Sequence, residues 1–135
     1  INIYYKDKLG YLKVGFVVEP YSDCLIKGDR ERAVEVLQNI MENAVKYGAG
    51  SPVNIAFSDE EDCRLVTISN AGCTLSDNEI LHIFDSFWRG SNSEKVPGSG
   101  LGLYICRKLM QQMDGEVFAE KEGDVLKVSV VFRKL

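Results

Sequence analysis

Asn39-Ile40-Met41-Glu42-Asn43-Ala44-Val45-Lys46-Tyr47 is the stretch on which the reading of this chain turns. It closes a run, residues 30–47, in which Ala33, Val36, Leu37, Ile40, Met41, Ala44 and Val45 recur with helical period. Glu31, Arg32, Glu35, Gln38 and Glu42 fill the opposite face. Asp29 stands at the N-cap position, and Gly48 and Gly50 stop the helix. Each apolar side chain fully buried along the stripe contributes about 1.5–3 kcal/mol. Asn39 and Asn43 are spaced i,i+4 and so project from one face. Asparagine forms helix poorly, and a buried amide is unfavourable unless hydrogen-bonded, so a pair bordering the apolar stripe needs a reason. An exposed surface pair is the ordinary alternative. Lys46 and Tyr47 shift the weight, because an amide oxygen can complete a magnesium shell, an ammonium can neutralise phosphate, and an aromatic face can meet a base. Their own ordinary alternatives are a solvated helix end and a half-buried ring.

Outward from the helix, the pattern is one of strands joined by hairpins. Leu12 to Glu19 is apolar and β-branched and ends at Pro20, which reads as a strand, and residues 24–27 allow a second, very short one. Residues 52–57 and 64–69 alternate with period two around the acidic stretch Asp59-Glu60-Glu61-Asp62, which reads as an antiparallel hairpin. Ser76 with Glu79 forms a capping box for a short helix over residues 77–83. Residues 88–99 are polar, glycine-bearing and aperiodic, the composition of a lid. A helix follows over residues 101–113 with Gly115 as its breaker, and a closing hairpin pairs residues 117–121 with 126–132. Paired hairpins predict a mixed, largely antiparallel sheet with the helices layered on one face, an α+β two-layer sandwich. The order is not the alternating one of a doubly wound parallel fold.

Gly98-Ser99-Gly100-Leu101-Gly102-Leu103 opens the later helix. No Lys-Ser or Lys-Thr follows, so this is no Walker-type phosphate loop, and Leu103 stands where a dinucleotide motif needs its third glycine. Three alternate glycines exceed what a turn requires and let backbone N–H groups approach an anion at a helix start.

With 135 residues, 45% hydrophobic and 27% charged, the chain is one ordinary globular domain. A net charge of −4 and scattered Lys and Arg give no support for nucleic-acid binding. No apolar run reaches transmembrane length, no basic-then-apolar leader is present, and a start at Ile1 suggests a fragment of something longer. Cys24, Cys63, Cys73 and Cys106 contain no Cys-x-x-Cys pair and cannot build a zinc site with the single His82, so they read as reduced thiols of a cytosolic protein.

Taken in order, four motifs resemble those of the ATP-binding domain of sensor histidine kinases, a Bergerat-type fold of the GHKL superfamily. The nonapeptide from Asn39 to Tyr47 is similar to the N box, and Asn70-Ala71-Gly72-Cys73-Thr74 occupies the place of the G1 box. Phe84-Asp85-Ser86-Phe87 resembles the F box, and the segment from Gly98 to Leu103 the G2 box. The resemblance spans residues 29 to about 115 and implies ATP and Mg²⁺ as ligands. It implies Asn43 as magnesium ligand with Asn39 close by, Lys46 on phosphate, and Tyr47 against adenine. Asn70, Gly72 and Thr74 would line the base pocket. Gly98, Ser99, Gly100, Leu101, Gly102 and Leu103 would hold phosphates, Phe84 and Phe87 would anchor the lid, and Arg89 would supply a lid cation. Lys95 has an equal claim to being a solvated loop residue. Asn39, Asn43 and Lys46 would then carry catalysis by positioning and charge neutralisation.

Two departures stand out. The G1 box usually opens with Asp, which accepts from the adenine amino group; here Asn70 stands there, and Thr74 replaces the motif's second glycine. Loss of a charged acceptor is worth about 1 kcal/mol and predicts weaker or altered base selectivity. Asn39 stands where hydrolysing relatives carry Glu, and an amide cannot act as a general base, which favours transfer over hydrolysis. The phosphate-accepting histidine of the family lies on a separate dimerising hairpin, and nothing before residue 12 reads as one; His82 reads as a surface residue. Residues 1–11 are then an N-terminal extension or a link to upstream sequence, and 12–135 the ATP-binding domain. The expected partners are the dimerisation and phosphotransfer domain of the same parent protein and, indirectly, a response regulator. The domain alone is expected to be monomeric and cytoplasmic. Competing readings are a serine kinase of the anti-sigma-factor type and a nucleotide-sensing pseudokinase.

Overall fold

The computed structural model describes residues 2–7, 10–48, 51–85 and 102–135, with residues 2–7, 10–14, 46 and 47 followed at the backbone only. Helix α1, Arg30–Tyr47, starts where the Asp29 carboxylate accepts the N–H groups of Glu31 (2.8 Å) and Arg32 (3.3 Å), and it stops at Gly48. Such a cap is worth about 1 kcal/mol. Val36, Ile40 and Ala44 are buried along its inner stripe, as the i,i+4 pattern requires.

Strands β1, Asn2–Asp7, and β2, Gly10–Val18, precede α1; β3, Val53–Glu60, and β4, Cys63–Asn70, follow it. Helix α2, Asp77–Ile80, and helix α3, Gly102–Gln112, lead to the closing strands β5, Glu116–Glu122, and β6, Val125–Arg133. The sheet order is β1-β2-β3-β4-β6-β5. Only β2 and β3 run parallel, joined by the crossover that α1 supplies; the other ladders are antiparallel. The sheet is therefore mixed and largely antiparallel, with the helices packed on it, as the hairpin pattern predicts. Strand β1 was not foreseen. It pairs with residues 10–15 of β2, whereas β3 takes residues 16–18, so β2 passes from one neighbour to the other. The short strand expected at residues 24–27 is a single bridge between Ile26 and Lys134.

Alternation sets the sheet's two faces. Arg64, Val66, Ile68 and Asn70 of β4 are buried toward the helices, beside Val128, Val130 and Phe132 of β6. Leu65, Thr67 and Ser69 face outward, with a Thr67–Ser129 hydroxyl bond of 3.0 Å between β4 and β6. Arg64 is the one cation in the inward series. Its guanidinium donates to Asp59 (2.6 Å) and to the Ser22 carbonyl (2.8 Å), tying the segment before α1 to the sheet. That hydrogen bond holds the Asp59 carboxyl below its ordinary range. Asp59 and Glu60 belong to β3, so the acidic connection is a tighter turn than expected, with Glu61 at φ 52°.

The ends of the helices carry two corrections. The Ser76–Glu79 capping box forms with both bonds at 3.1 Å, yet α2 ends at Ile80 rather than Ile83. The chain continues through i→i+3 bonds, His82 N–H to Glu79 and Ile83 N–H to Ile80, and three-residue spacing brings Ile80 and Ile83 to one side, where both are buried. At the end of α3, the left-handed residue is Asp114 (φ 57°) and not Gly115. Gly115 N–H bonds to the Met110 carbonyl (2.8 Å) and Asp114 N–H to Gln111 (3.3 Å), which together make a Schellman motif. Lys27 pairs with the Asp114 carboxylate and lowers its pKa. Gly115 is required for a different reason: a Cβ there would lie 2.4 Å from the Val131 carbonyl oxygen.

Candidate functional site

Three features of the sequence meet along α1. The first is Asn43. Its Nδ2 donates to the Asn39 carbonyl at 2.9 Å, one turn back on the same helix. One amide N–H is thereby used, and the oxygen Oδ1 is the atom able to accept a donor or bind a cation. The second is the start of α3. A Cβ placed on Gly102 would lie 3.6 Å from Asn43 Nδ2, so the first residue of α3 abuts the amide directly. An eleven-residue helix places unpaired N–H groups and its positive dipole end there.

Asn39, half-buried, sits one turn before Asn43, on the part of α1 that lies near Cys106 of α3. Cys106 is fully buried, and its Sγ lies 3.5 Å from the Val36 carbonyl. Burial pushes this thiol's pKa up to about 12, so it stays protonated and inert. Cys106 thus joins α3 to the turn of α1 that leads into Asn39. In the sequence it reads only as a reduced thiol, since nothing in the pattern shows which helix faces it.

The third feature is Asn70, the last inward-facing residue of β4 and only 4% exposed. Alternation along the strand directs it under the end of α1, where a Cβ on Gly48 would lie 3.3 Å from its Nδ2. Asn70 donates Nδ2 to the neighbouring Ala71 carbonyl (3.2 Å), and its oxygen Oδ1 is the acceptor of the pair. Gly72 adopts φ 83°, and a Cβ there would meet the Gly48 carbonyl at 3.4 Å. Beyond it, Cys73 and Leu75 are buried and Thr74 is exposed. From Asn43 to Gly48 the helix rises roughly 7.5 Å at ~1.5 Å per residue, so the contact of Asn43 with Gly102 and that of Gly48 with Asn70 and Gly72 lie in series along α1.

Phe84 is buried with the Arg107 guanidinium 4.8 Å above its ring, fastening the stretch after α2 to α3. His82 is exposed and pairs with Asp85 at 2.9 Å, the surface role expected of it. Leu103 is half-buried against the core. The side chains of Lys46 and Tyr47 lie outside the described residues, as do Phe87, Arg89, Lys95, Gly98, Ser99, Gly100 and Leu101 and the whole expected lid.

Asn70 departs from an aspartate, and its surroundings say what the reversal does. In Asn70→Asp a carboxylate oxygen would replace Nδ2 beside the Ala71 carbonyl, two acceptors face to face in a buried site. The variant is expected to lose about 1–3 kcal/mol of stability without nucleotide. It should recover part of that loss when an adenine nucleotide is added. Thermal melts with and without ATP check both halves.

The family model for histidine kinase-, DNA gyrase B- and HSP90-like ATPases matches residues 28–134. The chain belongs to this family. Among relatives of this ATPase family, the sensor histidine kinase WalK of Bacillus subtilis is 28% identical over 106 residues, covering 75% of this chain and 17% of WalK. Two-component system protein A of Emericella nidulans is 34% identical over 109 residues, covering 74% of this chain and 16% of that protein. The chain therefore spans about a sixth of the length of these relatives. The nucleotide-free catalytic domain of histidine kinase ThkA superimposes with a TM-score of 0.76 at 25% identity, over 90% of this chain and 79% of that one. Full-length ShkA in complex with AMPPNP shares the fold, with a TM-score of 0.71 at 24% identity over 90% of this chain and 26% of that one. Among the described residues no helix is long and apolar enough to cross a membrane.

Proposed function

We propose that this chain binds Mg-ATP and donates the γ-phosphate to a histidine on a separate helical domain of the same parent protein, as the catalytic part of a sensor histidine kinase. The observation that carries this reading is the apposition of Asn43 and Gly102, a side-chain amide set beside the glycine that starts a helix. The donor set suits magnesium in this role. One neutral oxygen ligand suffices where phosphate oxygens and water complete the shell. The ion would neutralise charge on the transferring phosphoryl group.

The chain's own contribution is position. The N-terminus of α3 holds phosphate oxygens through backbone N–H groups, and Asn39 and Asn43 fix the cation side. Asn70 accepts from the exocyclic amino group of the base. Asn39 cannot take a proton from water, so the site holds the γ-phosphate for an external nucleophile. In this reading Lys46 and Arg89 would add positive charge near the phosphates and Tyr47 would meet the base, as the family resemblance implies. The ThkA structure in complex with the response regulator TrrA, a likeness of fold at 23% identity, supports a response regulator as the onward recipient. The domain works on the cytoplasmic side, whatever anchors its parent.

Titration of this chain with ATP, with and without magnesium, tests the binding half. Tighter binding with the metal is expected, and equal affinity in both arms would remove the proposal. Mixing the ATP-loaded chain with a purified dimerisation hairpin should give acid-labile phosphate on that hairpin. Acid-stable phosphate would point to serine and a different acceptor.

A further inference from the structure

The loop from Asn70 to Leu75 has no helix or strand pairing of its own beyond the end of β4, yet it must present Asn70 and Gly72 to a ligand. Its order comes from the far end of the chain. The N–H of Gly72 donates to the Asp124 carboxylate at 3.3 Å, and the N–H of Cys73 donates to the Asp124 carbonyl at 2.8 Å. Lys121 extends from β5 and donates Nζ to the Leu75 carbonyl at 2.7 Å. The loop is thus gripped at both ends by the β5–β6 hairpin, fifty residues away in sequence. Gly123, with φ 62°, makes the tight turn that places Asp124 there.

These bonds also assign roles within the loop. Because Asp124 takes the N–H groups of Gly72 and Cys73, neither is available to a phosphate. What the loop offers instead is Asn70 Oδ1 and the close approach of Gly72 to the Gly48 carbonyl. A glycine-bearing loop that looks able to bind an anion is, by this accounting, a base-side element held from behind.

We propose that Asp124 is a positioning residue for the base-binding half of the nucleotide site, acting through Gly72 and Cys73, with Lys121 as its second tie. The inference rests on the nucleotide-binding reading above. It predicts that loosening the turn harms recognition of the base and spares recognition of the phosphates.

The test measures affinities of Mg-ATP, Mg-GTP and Mg-tripolyphosphate for the wild-type chain, Asp124→Ala, Asp124→Asn and Lys121→Met, with a thermal melt of each. Asp124→Ala should weaken ATP about three- to tenfold, the range set by one ordinary hydrogen bond because Asp124 acts on the ligand only through the loop, and narrow the ATP-over-GTP preference. Tripolyphosphate affinity should stay within about twofold, an effect too small for a lost hydrogen bond. Asp124→Asn, which retains an acceptor oxygen, should resemble wild type. Unchanged ATP affinity and base preference in Asp124→Ala would overturn the proposal. So would an equal loss for ATP and tripolyphosphate, which is the mark of general destabilisation. If Asp124→Ala does not fold, Lys121→Met decides, with the same pattern expected at smaller size. A wild-type chain that binds no nucleotide would instead overturn the proposed function itself.

Discussion

Asn43→Ala is expected to lose about ten- to hundredfold in affinity for Mg-ATP while the folded chain keeps its stability. The two halves come from one piece of geometry. Asn43 Nδ2 donates to a carbonyl already engaged in its own helix, so removing it leaves no buried group stranded. Alanine is the better helix former by a few tenths of a kcal/mol, which offsets the lost bond. The amide oxygen is the part with a task outside the helix. Losing a contact to a charged group there is worth about 1.5–3 kcal/mol, or roughly a factor of ten to a hundred. The affinity loss should vanish when magnesium is omitted, because the residual binding then rests on the base side. Calorimetric titration with and without the metal, beside a thermal melt, reads all three quantities. A variant that melts early, or that loses affinity equally in both arms, would contradict a ligand role for this amide.

The second large effect is on folding. Gly115→Ala should destabilise the chain by about 3 kcal/mol, lowering the melting temperature by roughly 10 °C for a domain of this size. The added methyl would lie 2.4 Å from the Val131 carbonyl and 2.5 Å from Met110 Cε. Met110 can move, although it is fully buried. The Val131 carbonyl belongs to β6, which pairs on both sides, with β4 and with β5. Displacing it would disturb two ladders. The strain arises from contact alone, because Gly115 does not occupy the left-handed region that Asp114 does. Asp114→Gly, which relieves that φ, should therefore be close to neutral or mildly stabilising despite lying next door. A melt showing Gly115→Ala as stable as the parent would mean that the α3–β5 junction is looser than its hydrogen bonds imply.

The N-cap at Asp29, the stop at Gly48, the capping box and both later hairpins were readable, because each rests on neighbours within a few residues. So was the i,i+4 pairing of Asn39 and Asn43, which helix geometry alone imposes. The misreadings fall where local pattern and packing disagree. Gly115 looked like a helix breaker because glycine commonly is one, whereas the left-handed turn falls to Asp114 and the glycine serves an approach to β6. The short α2 gives way to a tighter turn that buries both Ile80 and Ile83.

Amino-acid order by itself determined which elements form and which amides share a helix face, since period, caps and turns act over a few residues. The tertiary structure alone decided that Gly102 lies against Asn43, that Cys106 reaches the Val36 carbonyl, and that Asp124 grips the loop after Asn70. Those contacts join positions some fifty to seventy residues apart. They exist only because the crossover through α1 and the return of β6 beside β4 bring distant turns to one end of the sheet, and no local propensity encodes such a meeting.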